Sequence, residues 1–254
     1  MAKRCRLDVL LVERGLTETR EKARALVLAG GVRVNGEAAG KPGTTVLATA
    51  EVEIVGQDHP YASRGGLKLE KALHTFQVNP QGWSTLDVGA STGGFTDCLL
   101  QHGATKVYAV DVGYGQLAWK LRQDDRVVVL ERTNFRHLAY ETIGEAVSLV
   151  VIDASFISLK LLLPKVREFL TPEGQVLALV KPQFEAGRTE VGKRGRVAEG
   201  KVHERVLDEL GSAAEALGFR TLDQCESPLL GKKSGNREFF LHLDLANSGA
   251  ERVC

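Results

Sequence analysis

The stretch Thr85-Leu86-Asp87-Val88-Gly89-Ala90-Ser91-Thr92-Gly93-Gly94-Phe95 decides how the rest of the chain is read. It joins a short apolar strand to a helix through a glycine-rich turn. Glycines in such a turn tolerate unusual dihedrals and let a ligand approach the backbone closely. The dinucleotide fingerprint is Gly-x-Gly-x-x-Gly. Here the spacing is Gly-x-x-x-Gly-Gly, with Asp87 two places before the first glycine. A carboxylate at that point suits a cationic ligand bearing an amino group better than it suits a pyrophosphate.

Outward from this turn, apolar strands alternate with helical patterns. A helix is predicted over 93–101, a strand over 106–111 and a helix over 116–122. Strands follow over 126–130 and 146–153, a helix over 159–170 and a strand over 175–181. A helix over 202–217 and strands over 220–225 and 237–243 complete the series. Nearly continuous apolar strands separated by helices predict an α/β fold with a doubly wound, mostly parallel, seven-stranded Rossmann-like sheet. Ligands of such sheets sit at the carboxyl ends of the strands. Asp87, Asp111, Asp153 and Lys181 all fall at or beside those ends. Asp111 is placed to accept hydrogen bonds from two ribose hydroxyls. S-adenosyl-L-methionine fits this set better than a nicotinamide dinucleotide.

The first 58 residues form a different unit. Leu7, Leu10 and Leu11 mark a short helix stopped near Gly15. Thr17 is a candidate N-cap for a second helix whose apolar face is Ala23, Leu26 and Val27. After Gly30-Gly31, the run Val32-Arg33-Val34 enters Asn35-Gly36, a strong hairpin signal. More strand is predicted over 44–47 and 51–55. Residues 59–62 read as a linker that contains Pro60. A large domain over 63–246 and a tail over 247–254 follow. The large domain opens with a helix whose stripe is Leu69, Ala72, Leu73 and Phe76. Lys68 lies close to that stripe and near the positive helix start, an odd place for a solvated lysine.

The 254 residues carry a formal charge of +1. Neutrality is an average over unlike blocks. Residues 1–41 hold nine Lys/Arg against five Asp/Glu, a local +4; residues 63–71 carry +2 and residues 181–201 carry +3. Acids predominate in 42–62, 72–180 and 202–231. The glycine-containing basic stretch 185–200 reads as a mobile lid facing RNA. The apolar and charged fractions are those of a folded globular chain, and no run reaches the ~18–20 apolar residues of a membrane span. The N-terminus has no apolar signal core. The four cysteines form no Cys-x-x-Cys pair and the six histidines show no ligand spacing, so no metal site is predicted. A reduced, cytoplasmic protein is expected, and oligomeric state leaves no mark in the sequence.

Arg6-Leu-Asp-x-x-Leu, Gly15, Thr19-Arg20-x-x-Ala23 and Gly31-x-Arg-Val-Asn-Gly36 resemble the S4 type of RNA-binding module. The resemblance implies that Arg4, Arg6, Arg20, Lys22, Arg24 and Arg33 face structured RNA, joined by Arg64 after the linker. The physics is phosphate neutralisation with counterion release, which gives affinity with little sequence reading. The large domain resembles the FtsJ-like RNA 2′-O-methyltransferases, and the combination resembles the TlyA, or haemolysin A, family. The marks are Ser63-Arg-Gly-Gly-x-Lys68, the run from Asp87 to Asp97, Asp111-Val-Gly-Tyr-Gly-Gln116, Asp153-Ala-Ser-Phe-Ile-Ser158, Val180-Lys181-Pro-Gln-Phe-Glu185 and Asn236-Arg-Glu238-Phe. Thr92 stands where FtsJ-like enzymes commonly have Pro, and Asn134 where many have Asp beside the adenine; both look like the TlyA form.

The resemblance implies a cofactor site of Asp87, Gly89, Ala90, Ser91, Gly93, Gly94, Phe95, Asp111, Asn134 and Asp153, and a catalytic tetrad of Lys68, Asp153, Lys181 and Glu238. The implied substrate is a cytidine ribose in ribosomal RNA, on structured RNA or ribosomal subunits. The chemistry stands independently: a ribose hydroxyl is a poor nucleophile, so oxygen, methyl and sulfur must be held in line and a proton received. Lys181 is the group expected nearest the hydroxyl, as base or as positioning group. Two other readings compete. An RNA-binding or ribosome-assembly protein with a vestigial fold would bind RNA without transferring methyl. A membrane-lytic haemolysin would need an apolar segment longer than the 159–163 cluster, which contains Lys160.

Overall fold

The computed structural model describes residues 3–55, 59–187, 189–197, 200–231 and 234–246. Its N-terminal unit begins with strand β1 (Arg4–Arg6), helix α1 (Leu7–Glu13) and helix α2 (Arg20–Ala29). Four short strands follow: β2 (Val32–Val34), β3 (Glu37–Ala38), β4 (Thr45–Leu47) and β5 (Val52–Ile54). The N-cap of α2 is Thr19, whose side chain accepts from the Lys22 amide at 3.2 Å. The prediction of Thr17 is corrected: α1 ends at Glu13 and the turn between the helices consumes residues 14–18. Asn35 and Gly36 both take positive φ, 51° and 80°, and join β2 to β3 with Val34 opposite Glu37. That is the two-residue turn that matches strand twist. Leu7, Leu11, Ala23, Val27 and Val32 form the buried core of this unit.

Helix α3 (Gly65–Phe76) opens the large domain. Then come β6 (Ser84–Val88), α4 (Gly94–Gln101), β7 (Lys106–Val110), α5 (Trp119–Arg122), β8 (Val127–Leu130), α6 (Tyr140–Ile143) and β9 (Val147–Ile152). The chain continues through α7 (Leu163–Val166), β10 (Leu170–Val180), α8 (Pro182–Glu185), α9 (Lys201–Ala216), β11 (Phe219–Glu226) and β12 (Phe239–Leu245). One seven-stranded sheet has the order β11-β12-β10-β9-β6-β7-β8. Strands β6 to β10 run parallel, and β12 is antiparallel to both β10 and β11.

The central strands are buried on both faces, which explains their largely apolar sequence. Val150 and Ile152 of β9 face one core layer with Leu86, Val88, Val206 and Leu210. Leu149 and Val151 face the other layer with Leu69, Leu73, Leu99 and Phe240. Successive side chains of a strand point to opposite faces, so each layer takes alternate residues.

The predicted helix over 159–170 is not a single helix. A 3-10 turn (Leu159–Leu161), α7 and a second 3-10 turn (Arg167–Phe169) replace it, and β10 starts at Leu170. Pro164 sits at the start of α7, where its missing N–H is tolerated; it could not lie inside a longer helix. The predicted helix over 116–122 is likewise reduced to α5.

Candidate active site

Five elements deliver their ends to one cleft. Asp87 lies in β6, Asp111 follows β7, Asp153 follows β9 and Lys181 follows β10. Strand β12 runs the other way, so its beginning lies at this edge; Val180 pairs with Phe239, which brings Glu238 level with Lys181. Helix α3 supplies Lys68 from its first turn. Its approach to α4 is close: a Cβ on Gly94 would lie 2.3 Å from Ser63 Oγ and 3.0 Å from the Gly66 nitrogen, so a larger residue there would push Ser63 and the start of α3 away.

The four expected catalytic side chains form two ion pairs. Lys68 bonds Glu238, with side-chain exposures of 8% and 3%. Lys181 Nζ lies 2.5 Å from Asp153 Oδ1 and donates to Ser155 Oγ at 2.9 Å. Lys68, Lys181, Glu238 and Ser155 line one cleft of about 940 Å³, together with Ser91, Thr92, Arg64 and Gln183. Lys68, Lys181 and Glu238 are buried and Asp153 is partly exposed; burying charge is costly unless it is paired, and the arrangement provides one carboxylate for each ammonium. Phe156 and Phe184 stand at the same cleft, their rings 5.1 Å apart. Phe156 is 80% exposed and has φ of 65°. Ser91 and Arg132, after β6 and β8, also have positive φ. Such conformations cost of order 1–3 kcal/mol and concentrate at functional sites.

The turn after β6 has the features of a nucleoside cradle. Gly89 has φ of 91°, and a Cβ there would lie 2.7 Å from the carbonyl oxygen of Asp153. Asp111 accepts from the Ser91 amide at 2.8 Å through Oδ2 and from the Gly113 amide at 2.6 Å through Oδ1. Those bonds orient the carboxylate and leave lone pairs for two vicinal hydroxyls. Asp87 is wholly buried beneath the turn. Its Oδ2 accepts from Thr96 Oγ1 at 2.6 Å, and its Oδ1 has no hydrogen-bond partner. Burial pushes its carboxyl up to about 7, with Asp153 and Asp111 adding to the rise and Thr96 opposing it. An orphaned acceptor beside a glycine turn, with a ribose-ready carboxylate on the next strand, fits S-adenosyl-L-methionine.

Other predicted cofactor residues divide by orientation. Ser91 lines the cleft. Ala90, Gly93 and Gly94 are buried, and Phe95 turns its ring into the core against Phe240. Asn134 is exposed and spends its side-chain oxygen on the Arg136 amide at 3.1 Å, capping a 3-10 turn. In the N-terminal unit, Arg4, Arg24 and Arg33 are exposed. Arg6 and Arg20 converge instead on buried Asp8, at 2.8 and 3.1 Å, and Lys22 bonds Glu18. Arg64 donates to the carbonyl of Leu230 at 3.1 Å and lines the cleft. Sequence reasoning gave no role to Ser155, Gln183 or Asn236, although all three lie inside the quoted motifs.

A Rossmann-like sheet, a glycine turn with a carboxylate after the next strand and two buried lysines each paired with a carboxylate fit an S-adenosyl-L-methionine-dependent methyltransferase. Residues 61–245 match the FtsJ-like methyltransferase model and residues 5–52 the S4 domain model. The chain belongs to the FtsJ-like methyltransferase family, in the branch that carries an S4 domain. It is 51% identical to "Putative rRNA methyltransferase YqxC" of Bacillus subtilis, over 98% of this chain and 89% of that one. It is 47% identical to "16S/23S rRNA (cytidine-2'-O)-methyltransferase TlyA" of Mycobacterium tuberculosis, over 96% of this chain and 91% of that one. A solved structure named "Putative hemolysin from Streptococcus thermophilus" superposes with a TM-score of 0.76 at 47% identity, covering 100% of this chain and 92% of that one.

Proposed function

We propose that the protein methylates the 2′-hydroxyl of a cytidine ribose in ribosomal RNA, acting on structured RNA or ribosomal subunits. The observation that carries this reading is the presence of two buried lysines, Lys68 paired with Glu238 and Lys181 paired with Asp153, lining one cleft beside the glycine turn. The names of the TlyA relatives support the nucleoside and the RNA class.

S-adenosyl-L-methionine, when bound, supplies an electrophilic methyl group. Asp111 holds its ribose, and the backbone of the turn at Gly89 to Gly93 holds the rest. Lys181 lies against the ribose hydroxyl and orients an oxygen lone pair towards the methyl; it accepts the proton that methylation releases as the neutral amine, its own proton having passed to Asp153 or to solvent. Asp153 and Ser155 fix the direction of its amine. Lys68 and Glu238 close the other side of the cleft and confine the sugar. In-line alignment of this kind is itself a large part of catalysis. Phe156 offers an aromatic face at the mouth, which suits a base taken out of its stack. The exposed arginines of the S4 domain give affinity for the surrounding phosphates.

Two other readings are weaker. A binding protein without catalysis has no use for paired lysines buried at a cleft. For a lytic protein, no helix among the described residues is long and apolar enough to cross a membrane. The cytoplasm, where ribosomal RNA is made, is the compartment that this reading assigns. The test is transfer of labelled methyl to 30S and 50S subunits, with nucleoside mapping, by wild type and Lys181→Ala. Transfer to a cytidine 2′-oxygen, reduced at least 100-fold in the variant, is expected. Undiminished transfer by Lys181→Ala removes this mechanism.

A further inference from the structure

Asn236 is 5% exposed and lies two residues before Glu238. The three hydrogen bonds of its side chain reach two other segments of the chain. Its Nδ2 donates to Gln183 Oε1 at 3.0 Å and to the carbonyl of Gly195 at 2.8 Å. Its Oδ1 accepts from the Val197 amide at 3.2 Å. Gln183 belongs to α8, the turn of helix that starts directly after Lys181. Gly195 and Val197 belong to a small antiparallel return in which Val191 bridges Val197 and the Gly192 amide donates to the Arg196 carbonyl at 2.7 Å. The Asn236 backbone is fixed as well, since its carbonyl accepts from the Gly231 amide at 2.8 Å.

We infer that Asn236 is a positioning residue, a clamp that holds the Lys181-bearing turn and the 191–197 return against the start of β12. The clamp sets where Lys181 stands relative to Glu238, and it roofs the cleft in the same act. The chemistry of the amide explains the choice of residue. Only asparagine or glutamine offers two donors and an acceptor without charge, and glutamine at this place is one methylene too long for three bonds already at 2.8–3.2 Å. Aspartate would turn an oxygen towards the Gly195 carbonyl. Loss of the side chain leaves the buried Val197 amide and the part-buried Gln183 and Gly195 groups without this partner. The inference rests on the proposed assignment of Lys181 and Glu238 to the reacting site.

The test uses the full-length protein with Asn236→Ala, Gln183→Ala and Gln183→Glu. Hydrogen exchange reads the clamp, and methyl transfer to ribosomal subunits at saturating cofactor reads its consequence. For Asn236→Ala we expect faster exchange across 189–197, unchanged protection in β9 and β12, cofactor affinity within about threefold, and kcat lower by about 20-fold or more. Gln183→Ala breaks one of the three bonds and lowers kcat by about three- to tenfold. Gln183→Glu keeps the acceptor and restores kcat, while its added charge raises the KM for RNA. Unchanged exchange at 189–197 in Asn236→Ala overturns the clamp. Faster exchange with unchanged kcat overturns the positioning role, as does a kcat loss shared equally by Gln183→Glu. Absence of transfer by the wild type removes the functional reading instead, and the exchange measurement then decides the clamp alone.

Discussion

The S4 domain and the methyltransferase domain treat positive charge in opposite ways. In the first, Arg4, Arg24 and Arg33 stand in solvent, and Arg6 and Arg20 are about half exposed around a single buried carboxylate, Asp8. In the second, Lys68 and Lys181 are less than a tenth exposed, and each has its own carboxylate. Solvated cations gain from releasing counterions and tolerate many phosphate geometries. Buried cations contribute little net stability, because desolvation offsets their attraction, but they point in one direction. On the proposed reading, the same residue chemistry serves capture in one region and alignment in the other.

Removing Glu238 tests this contrast most severely. Glu238→Ala strands the Lys68 ammonium and should cost about 3–5 kcal/mol in urea unfolding. The double change Glu238→Leu with Lys68→Met should recover most of that stability without recovering methyl transfer. Recovery of both would mean that the pair is only structural.

Next come two buried carboxylates whose titrations oppose each other. Burial raises Asp87 to about 7, so its contribution to stability is complete below the ordinary value near 4 and is lost as pH rises through 7. Its slope is at most about 1.4 kcal/mol per pH unit, and Asp87→Asn should abolish it in unfolding measured from pH 4 to 8. The Arg6 guanidinium, helped by Arg20, lowers Asp8 to about 2. Its contribution is complete above 4 and is lost as pH falls towards 2, roughly 2 kcal/mol in total. The difference between wild type and Asp8→Asn from pH 5 to 2 isolates it; parallel curves would show that the arginines do not hold this carboxylate. The smallest effect is on capture. Arg33→Ala should weaken RNA binding a few-fold and reduce the salt slope by about 1, leaving kcat at saturating RNA unchanged.

The sheet was legible in the sequence because strands buried on both faces leave nearly continuous apolar runs, as in Val147–Ile152, where only Ser148 is polar. The glycine turn was legible because only glycine permits the approach of Gly89 to Asp153. The stretch after Leu159 was misread because its apolar spacing is helical, whereas Pro164 and the early start of β10 divide it. The partnership of Lys68 with Glu238 spans 170 positions, and no local pattern encodes it; only the family resemblance pointed to both. Arg6 and Arg20 bear the spacing of an RNA-binding face, yet their convergence on Asp8 depends on packing that brings α1 and α2 together. Asn236 and Gln183, 53 positions apart, were hidden for the same reason.

The antiparallel course of β12 has a practical consequence. Its first residue stands beside Glu238 and its last, Leu245, at the far end of the strand, about 20 Å away at the usual rise of a strand. A fluorophore at Ala246, exposed just past the strand, stands at roughly that distance from Glu238. The strand that carries Glu238 into the site thus provides a fixed ruler for watching the substrate dock.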